Sequence, residues 1–182
     1  MKYIFMLSTL SCLIFSASED PIFGENGMIV STSRQASEAG IEILKKGGNA
    51  IDAAVAVGFA LAVTSSGNGN LGGGGFLVAA MKNGDTFTID HREKSPKKST
   101  KTMYLDNDGD IINGMSLYSR ASSGVPGTVD GLLKALIDHG SGTISRQQIL
   151  APAIKLAGRG FNLSHYEAER FNLYKEFFER NE

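Results

Sequence analysis

The sequence predicts a domain of α+β class, in which helices form layers with a small antiparallel sheet. Residues 33–46 repeat apolar side chains at helical spacing, and residues 50–63 are apolar on every face of a helix. An Asn83-Gly84 pair separates two apolar runs, 76–81 and 86–90, which is the strongest short-range signal for a β-hairpin. The chain has 182 residues, 42% hydrophobic and 20% charged, so it is long enough and apolar enough to bury such a core.

The first residues have the pattern of a secretory signal peptide. Lys2 gives a positive start, residues 3–15 are almost entirely apolar, and Ser16-Ala17-Ser18 are small residues that suit a signal peptidase. We therefore expect residues 1–18 to be removed and the mature protein, residues 19–182, to be exported as a periplasmic or secreted protein. The single cysteine, Cys12, lies inside this segment, so the mature chain would have no disulfide.

The mature chain opens with a polar linker, and residues 28–31 are predicted to form a short strand. The helix over 33–46 is expected to end at Gly47-Gly48, after two lysines that suit the negative end of a helix dipole. Its predicted buried face comprises Ala36, Ala39, Ile43 and Leu44.

The next helix is predicted to lie at the centre of the core. Asn49 is a favourable N-cap, and Asp52 follows it by three residues in the manner of a capping box. From Ala50 to Val63 almost no polar residue occurs on any face, which is typical of a helix surrounded by protein. The segment is too short for a membrane span, and Asp52 also argues against one.

The second half of the chain alternates between loops and helices. A glycine-rich loop, 65–75, precedes a strand over 76–81 that we expect to be buried, and a half-buried strand over 86–90 follows the hairpin. Helices are predicted over 128–138, 145–158 and 166–180. The last of them carries an aromatic stripe that we expect to contribute to the core: Tyr166, Phe171, Tyr174, Phe177 and Phe178.

Several function classes are excluded by charge and motif context. A net charge of -1 gives no field that would favour nucleic acid as a partner. The loop 67–72 matches G-x-G-x-x-G, but it follows a helix and opens a strand, the reverse of a dinucleotide site. Residues 106–117 lack the glycine and glutamate of a calcium loop. The histidines, His91, His139 and His165, lack metal-ligand spacing, so no metal site is predicted.

Arg92 is the candidate binding residue, because it stands just beyond the end of a predicted strand. A guanidinium group at that position can donate two parallel hydrogen bonds to a substrate carboxylate. Taken alone, the alternative is a solvated ion pair between Arg92 and Glu93 at a strand exit, with no role in binding.

Four segments together carry a family resemblance. They are Lys46-Gly47-Gly48-Asn49-Ala50-Ile51-Asp52-Ala53-Ala54, Asn70-Leu71-Gly72-Gly73-Gly74-Gly75-Phe76, Asp90-His91-Arg92-Glu93-Lys94-Ser95-Pro96 and Gly124-Val125-Pro126-Gly127-Thr128-Val129. In order and spacing they resemble the γ-glutamyltransferases (γ-glutamyl transpeptidases), a family of N-terminal-nucleophile hydrolases. The likeness runs from about Gly27 to about Asn172, and four ordered motifs are more specific than any one of them.

The resemblance implies an αββα four-layer sandwich, of which residues 19–182 would be the N-terminal, truncated portion of the large subunit. It implies a proenzyme that cleaves itself, with a new N-terminal threonine that attacks the γ-glutamyl amide of glutathione and transfers the acyl group to water or to an amino-acid or dipeptide acceptor. No cofactor is implied. Arg92 is similar to the arginine that binds the α-carboxylate of the γ-glutamyl group, and no catalytic residue is expected within this chain.

Two alternatives remain open from the sequence. A family acylase would keep this fold and act on another amide, and a non-catalytic secreted fragment would lack the small subunit altogether. We expect the chain alone to be inactive and poorly soluble, because strands that pair with the small subunit would be exposed. The chain also departs from the family pattern at residues 64–68, which lack the usual proline and are expected to be more flexible, and at Asp130, where a small apolar residue is common.

Overall fold

The computed structural model describes residues 21–69 and 71–180, and the predicted signal peptide, residues 1–18, lies outside them. The described residues form seven α-helices, one short 3-10 helix and one two-stranded sheet, which confirms the α+β class. In chain order the elements are α1 (Arg34–Lys45), α2 (Ala50–Thr64), β1 (Phe76–Ala80), β2 (Thr86–Asp90), α3 (Met115–Tyr118), the 3-10 helix (Arg120–Ser122), α4 (Thr128–His139), α5 (Arg146–Arg159), α6 (His165–Leu173) and α7 (Lys175–Glu179). None of these helices is long and apolar enough to cross a membrane.

Helix α1 begins and ends where its local signals predict. The Ser33 hydroxyl accepts a hydrogen bond from the backbone N–H of Ala36 at 3.4 Å, and Gly47 follows the helix end with a φ of 89°. Ala36, Ala39 and Ile43 are buried, as predicted, whereas Leu44, the fourth residue of the predicted face, is only half-buried. This face packs towards α2.

Helix α2 is the central helix of the core. Asn49 Oδ1 accepts from the N–H groups of Ile51 and Asp52 at 2.9 and 3.0 Å, and Asp52 Oδ2 accepts from the Asn49 N–H at 2.9 Å. This is the predicted capping box. Side chains on several faces of the helix are buried, and α2 packs against α1, α4 and α5.

The capping box also fixes the position of α4. The fully buried Asp52 carboxylate accepts a hydrogen bond from the Ser141 N–H at 3.2 Å, and Asn49 Nδ2 donates to the His139 carbonyl at 2.9 Å. These bonds tie the start of α2 to the segment that follows α4. Since α4 follows the 124–127 loop, they also help to place that loop.

The predicted hairpin is present, with one face open. Strands β1 and β2 pair antiparallel, with Leu77 opposite Ile89 and Phe76 opposite Asp90. Ile89 is buried and Leu77 is half-buried, whereas Phe76 and Val78 on the other face are 65% and 81% exposed. The prediction that residues 76–81 are a buried strand is therefore wrong, because the described helices cover only one face of the sheet.

Two further expectations differ from the structure. Residues 28–31 have no hydrogen-bonded partner strand within the described chain, and Ile29 instead lies against Gly40 of α1. Residues 166–180 form two helices that meet at Tyr174. The aromatic stripe that they carry is exposed rather than part of the core, since each of its five side chains is at least 44% exposed.

Candidate functional site

The site is built around the segment 91–94, immediately after β2. Two glycine-containing loops, 72–75 and 124–128, pack closely against this segment. The three segments belong to three of the four sequence motifs. Along the chain, 56 positions separate Gly72 in the first loop from Thr128 in the second. The fold therefore brings together what the sequence only places in order.

The first loop extends the sheet by one residue pair beyond β1 and β2. The His91 N–H donates to the Gly75 carbonyl at 3.0 Å, and the Gly75 N–H donates to the His91 carbonyl at 3.4 Å. A side chain at Gly74 would collide with the Glu93 backbone nitrogen, so the loop passes too close for any residue larger than glycine. This pairing fixes the backbone on the N-terminal side of Arg92.

The second loop fixes the backbone on the C-terminal side of Arg92. Lys94 and Val125 form an antiparallel bridge, with N–H to carbonyl distances of 3.2 and 2.7 Å. The Gly127 N–H donates to the Gly73 carbonyl at 2.8 Å, which joins the two glycine loops to each other. A side chain at Gly127 would overlap the His91 carbonyl, so this contact also requires glycine.

Arg92 itself has a fixed backbone, and its guanidinium group forms an exposed ion pair with Glu93, the alternative that the sequence left open. Its N–H donates to the Asp90 carboxylate at 3.1 Å, an Asx-type turn that sets the direction of the chain after β2. Its side chain is 65% exposed, and Arg92 Nε lies 3.8 Å from Glu93 Oε1, which is too long for a hydrogen bond. Within the described chain the guanidinium group donates no hydrogen bond, so its donors are available to a ligand.

Arg92 lines a polar cavity of about 390 Å³. Its walls are the segments 92–104 and 121–124, which the Lys94–Val125 bridge holds together. The charged side chains in the lining are Arg92, Glu93 and Lys94, and hydroxyl groups supply most of the other polar atoms. Such a lining suits a small, polar, charged molecule.

The histidines and the acidic turn have local roles. His139 stacks on Phe87 with ring centroids 3.5 Å apart, and His165 lies 3.3 Å from Glu169 on α6. Asp106 accepts hydrogen bonds from the N–H groups of Asp108 and Asp110, so its carboxylate stabilises the turn. Within residues 21–69 and 71–180, no group of three or more His, Cys, Asp or Glu residues could hold a metal ion.

Sequence reasoning singled out Arg92 but missed two features of its surroundings. Gly131 of α4 lies against the His91 side chain, and the polar segment 95–104 forms part of the cavity wall together with Arg92. A glycine inside an amphipathic helix is a signal for close packing, so Gly131 could have been identified. The wall carries no comparable signal, because its position depends on contacts distant in sequence.

The fold and this arrangement of loops define a chain of the N-terminal-nucleophile hydrolase class, and its solved structural neighbours are γ-glutamyltranspeptidases. The family model for gamma-glutamyltranspeptidase matches residues 36–182. The protein belongs to the γ-glutamyltranspeptidase family.

Individual relatives agree with this assignment. A glutathione hydrolase proenzyme of Pseudomonas sp. (strain A14) is 45% identical over 97% of this chain and 31% of its own length. The crystal structure of Helicobacter pylori gamma-glutamyltranspeptidase matches with a TM-score of 0.81 at 44% identity, over 86% of this chain and 44% of that chain. An acylase ACY 1 proenzyme of Pseudomonas sp. (strain SE83) is 35% identical over 84% of this chain and 28% of its own length. This chain thus spans about a third or less of the curated relatives named here.

Proposed function

We propose that this chain forms the donor-binding wall of a γ-glutamyltransferase and glutathione hydrolase, and that Arg92 binds the α-carboxylate of the γ-glutamyl group. The proposal rests on one observation, the difference between the fixed backbone and the available side chain of Arg92. Its backbone is fixed on both sides by glycine loops, while its guanidinium group lines a polar cavity, donates no hydrogen bond to a described residue and has only an exposed ion pair with Glu93. A fixed backbone limits the conformational entropy lost on binding to that of the Arg92 side chain.

Carboxylate binding by Arg92 would orient the substrate for attack at its other end. Two parallel hydrogen bonds fix both the position and the plane of the α-carboxylate, so the γ-amide is held at a set distance from Arg92. Glutathione and related γ-glutamyl compounds share this carboxylate and this amide. The site would thus recognise the glutamyl group and tolerate varied amines beyond it.

The nucleophile of the proposed reaction comes from outside this chain. A threonine at the N-terminus of the small subunit would attack the γ-carbonyl, with its own α-amino group as base, and water or an amine would release the acyl group. Thr143 is an internal residue whose hydroxyl donates to the Gly47 carbonyl at 3.2 Å, and Thr128 lies at the start of α4. We propose that the chain is exported after removal of residues 1–18 and is inactive without the small subunit of the same proenzyme.

A complementation experiment tests the role of Arg92. This chain would be co-expressed with the remaining segments of the Helicobacter pylori enzyme, and the assembly, called here the complemented enzyme, assayed for cleavage of γ-glutamyl-4-nitroanilide. Arg92→Ala should raise KM by about 10- to 100-fold, since a hydrogen-bonded charge pair contributes about 1.5–3 kcal/mol. Arg92→Lys should recover part of the loss, because lysine keeps the charge but not the planar geometry.

The control for this experiment is Arg34→Ala. Arg34 is an exposed arginine of α1 that pairs with Glu38 at 3.0 Å, outside the Arg92 cavity. Its removal should leave KM unchanged, because an exposed pair contributes little. Equal KM values for Arg92→Ala and the unmodified chain would refute the proposed role.

The second candidate function is that of a family acylase, which the similarity to the Pseudomonas acylase favours. An acyl amide without an α-carboxylate would form no ion pair with the Arg92 guanidinium group, so its binding would not depend on Arg92. Cleavage of such an amide at a rate independent of Arg92→Ala would therefore select the acylase. Cleavage of neither substrate by a complemented enzyme whose parts co-purify would instead indicate a non-catalytic fragment.

A further inference from the structure

We propose that His91 is a positioning residue for Arg92, and that proton uptake by its ring weakens binding of the γ-glutamyl donor at low pH. The inference rests on the proposed function, because it takes Arg92 to be the residue that binds the donor carboxylate. It concerns a titratable side chain that the proposed reaction does not use. His91 directly precedes Arg92, so a displacement of the His91 backbone also displaces Arg92.

The His91 ring is held by two glycines from different parts of the fold. A Cβ at Gly131 of α4 would overlap Cβ and Cγ of His91, and a Cβ at Gly75 would lie 3.0 Å from its Cε1. The His91 backbone is paired with Gly75 as well. The ring is thus in close contact with both glycines, and its position is coupled to that of the backbone at residue 91.

One nitrogen of this ring is buried without a hydrogen bond. Nδ1 of His91 has no hydrogen-bond partner among the described residues. A neutral imidazole suits this environment when its proton is on Nε2, because Nδ1 then carries no hydrogen. An imidazolium carries a hydrogen on both nitrogens, so proton uptake would bury an N–H donor that has no acceptor. Movement of the ring towards water would give this donor a partner.

The elements that pack against His91 offer no partner for a positive charge. The loops 72–75 and 124–128 have no ionisable side chain. On α4 the charged residues nearest to Gly131 in sequence are Asp130 and Lys134, and Lys134 is paired with Asp138 at 2.6 Å. A second cation, rather than an anion, therefore follows Gly131 by one helical turn.

The carboxylates next to His91 along the chain have other partners. Asp90 accepts a hydrogen bond from the Arg92 N–H, and Glu93 lies 3.8 Å from Arg92 Nε. Within the described residues neither carboxylate forms an ion pair with the His91 ring. An imidazolium at this position would thus be both without an acceptor and without a counter-ion.

Displacement of the His91 ring would reach the donor through Arg92. Without the contacts to Gly131 and Gly75, the segment 91–94 loses part of what fixes its position. A bidentate ion pair depends on the direction of the guanidinium group, so this loss weakens carboxylate binding. Donor binding is complete at high pH, where His91 is neutral, and weakens as the pH falls. An imidazolium that stayed in place would have the opposite effect, because its charge would attract the carboxylate.

The test is the pH dependence of the KM for γ-glutamyl-4-nitroanilide in the complemented enzyme, from about pH 8 to about pH 5, the range in which histidines titrate. The KM of the unmodified enzyme should rise by about tenfold over this range, as expected for loss of a hydrogen bond to a charged group. In His91→Phe, whose ring takes up no proton, the KM should stay nearly constant. The kcat should fall in both, because protonation inactivates the amino group of the catalytic threonine.

A matched pair of glutamine variants provides the control. His91→Gln should also remove the pH dependence of KM, whereas His165→Gln should retain it, since the His165 side chain lies on α6 and is 89% exposed. A purely structural role of His91 would raise KM by the same factor at every pH. If phenylalanine at position 91 prevents assembly, the comparison of the two glutamine variants gives the result.

The outcomes separate this inference from the proposed function. A KM that stays constant or decreases as the pH falls in the unmodified enzyme would overturn the inference, and so would a rise that persists in both His91 variants. If Arg92→Ala leaves the KM unchanged at high pH, the proposed function fails and the role of His91 fails with it. A raised KM in Arg92→Ala, together with pH profiles that do not depend on His91, would support the proposed function and refute the inference alone.

Discussion

Gly131 of α4 lies directly against the side chain of His91, so that a Cβ at position 131 would overlap Cβ and Cγ of His91. The backbone of His91 is paired with Gly75 on one side, and the next residue along the chain is Arg92. The helix therefore holds the residue before Arg92 at a distance that only glycine permits. A change in α4 would be transmitted to Arg92 through this contact.

Gly131→Ala should displace His91 and weaken donor binding without a change in the chemical groups of the site. Overpacking of a close contact costs about 1–3 kcal/mol, and part of this cost would appear as movement of the 91–94 segment. We expect a higher KM for the γ-glutamyl donor in the complemented enzyme, and a lower urea midpoint.

The matched change is Gly158→Ala in α5, where a Cβ would contact no atom within 4 Å. That substitution should stabilise the protein by up to about 1 kcal/mol, because alanine is the better helix former. Its KM should equal that of the unmodified chain. Similar effects of the two substitutions would show that Gly131 has no special relation to His91.

Asp52→Ala should destabilise the fold by about 2–4 kcal/mol, since it removes a fully buried acceptor and leaves the N–H groups of Asn49 and Ser141 without their partner. Urea unfolding of the unmodified protein and of the Asp52→Ala variant would measure this difference in the free energy of unfolding. The chain provides its own control in Asp130, which is also the third residue of its helix but is exposed. Asp130→Ala should cost about 0.3–1 kcal/mol, the usual contribution of a carboxylate near a helix N-terminus. An equal loss in the free energy of unfolding for Asp52→Ala and Asp130→Ala would contradict this account of Asp52.

The position of Asp130 also explains why an acidic residue is acceptable there. Helix α4 has Gly127 as its N-cap, which offers no side-chain hydrogen bond. A carboxylate in the first turn compensates for the missing cap through its interaction with the helix dipole.

The elements that sequence predicted well are those with local signals. Ser33 and Asn49 mark the starts of α1 and α2 through contacts within three residues, and Asn83-Gly84 marks the hairpin. Burial was less predictable for β1. An apolar run such as Phe76–Ala80 indicates a strand, but how many of its faces are covered depends on elements elsewhere in the chain or outside it.

The candidate site could be predicted only in part, for the same reason. Arg92 was identifiable from the family motif, whereas its position after a strand by itself favoured a solvated ion pair with Glu93. Its neighbours were not, since the contacts of Gly127 with Gly73 and of Lys94 with Val125 join residues far apart in sequence. No local pattern encodes such contacts, and the glycines alone indicated only that the backbone comes close to something.

The pair formed by Lys134 and Asp138 predicts a pH-dependent contribution on α4. The hydrogen bond from Lys134 Nζ to Asp138 Oδ2, 2.6 Å long, lowers the pKa of Asp138 and raises the pKa of Lys134. Because the folded pKa of Asp138 lies below its unfolded value, the pair stabilises α4 above that unfolded value and the effect is lost as pH falls through the folded pKa. NMR titration should show the Asp138 pKa rising in Lys134→Met. An unchanged pKa in that variant would mean that the pair does not persist in solution.

The open face of the sheet predicts self-association of the chain in isolation. Phe76 and Val78 stand side by side on a face that no described helix covers, and both edges of the two-stranded sheet are unpaired within the described residues. Apolar faces next to free strand edges promote pairing between chains. Sedimentation velocity of the isolated chain should therefore show species larger than a monomer, and Val78→Lys should shift the distribution towards the monomer, because a charge on this face opposes its burial.

The control for this last experiment is Ile137→Lys, which places the same charge at a side chain of α4 that is 78% exposed, close to the 81% of Val78. This change should leave the distribution as it is, because Ile137 lies on a helix and offers no strand edge. Dissociation by both lysine variants to the same extent would indicate a general effect of added charge, and a monomeric unmodified chain would contradict the prediction.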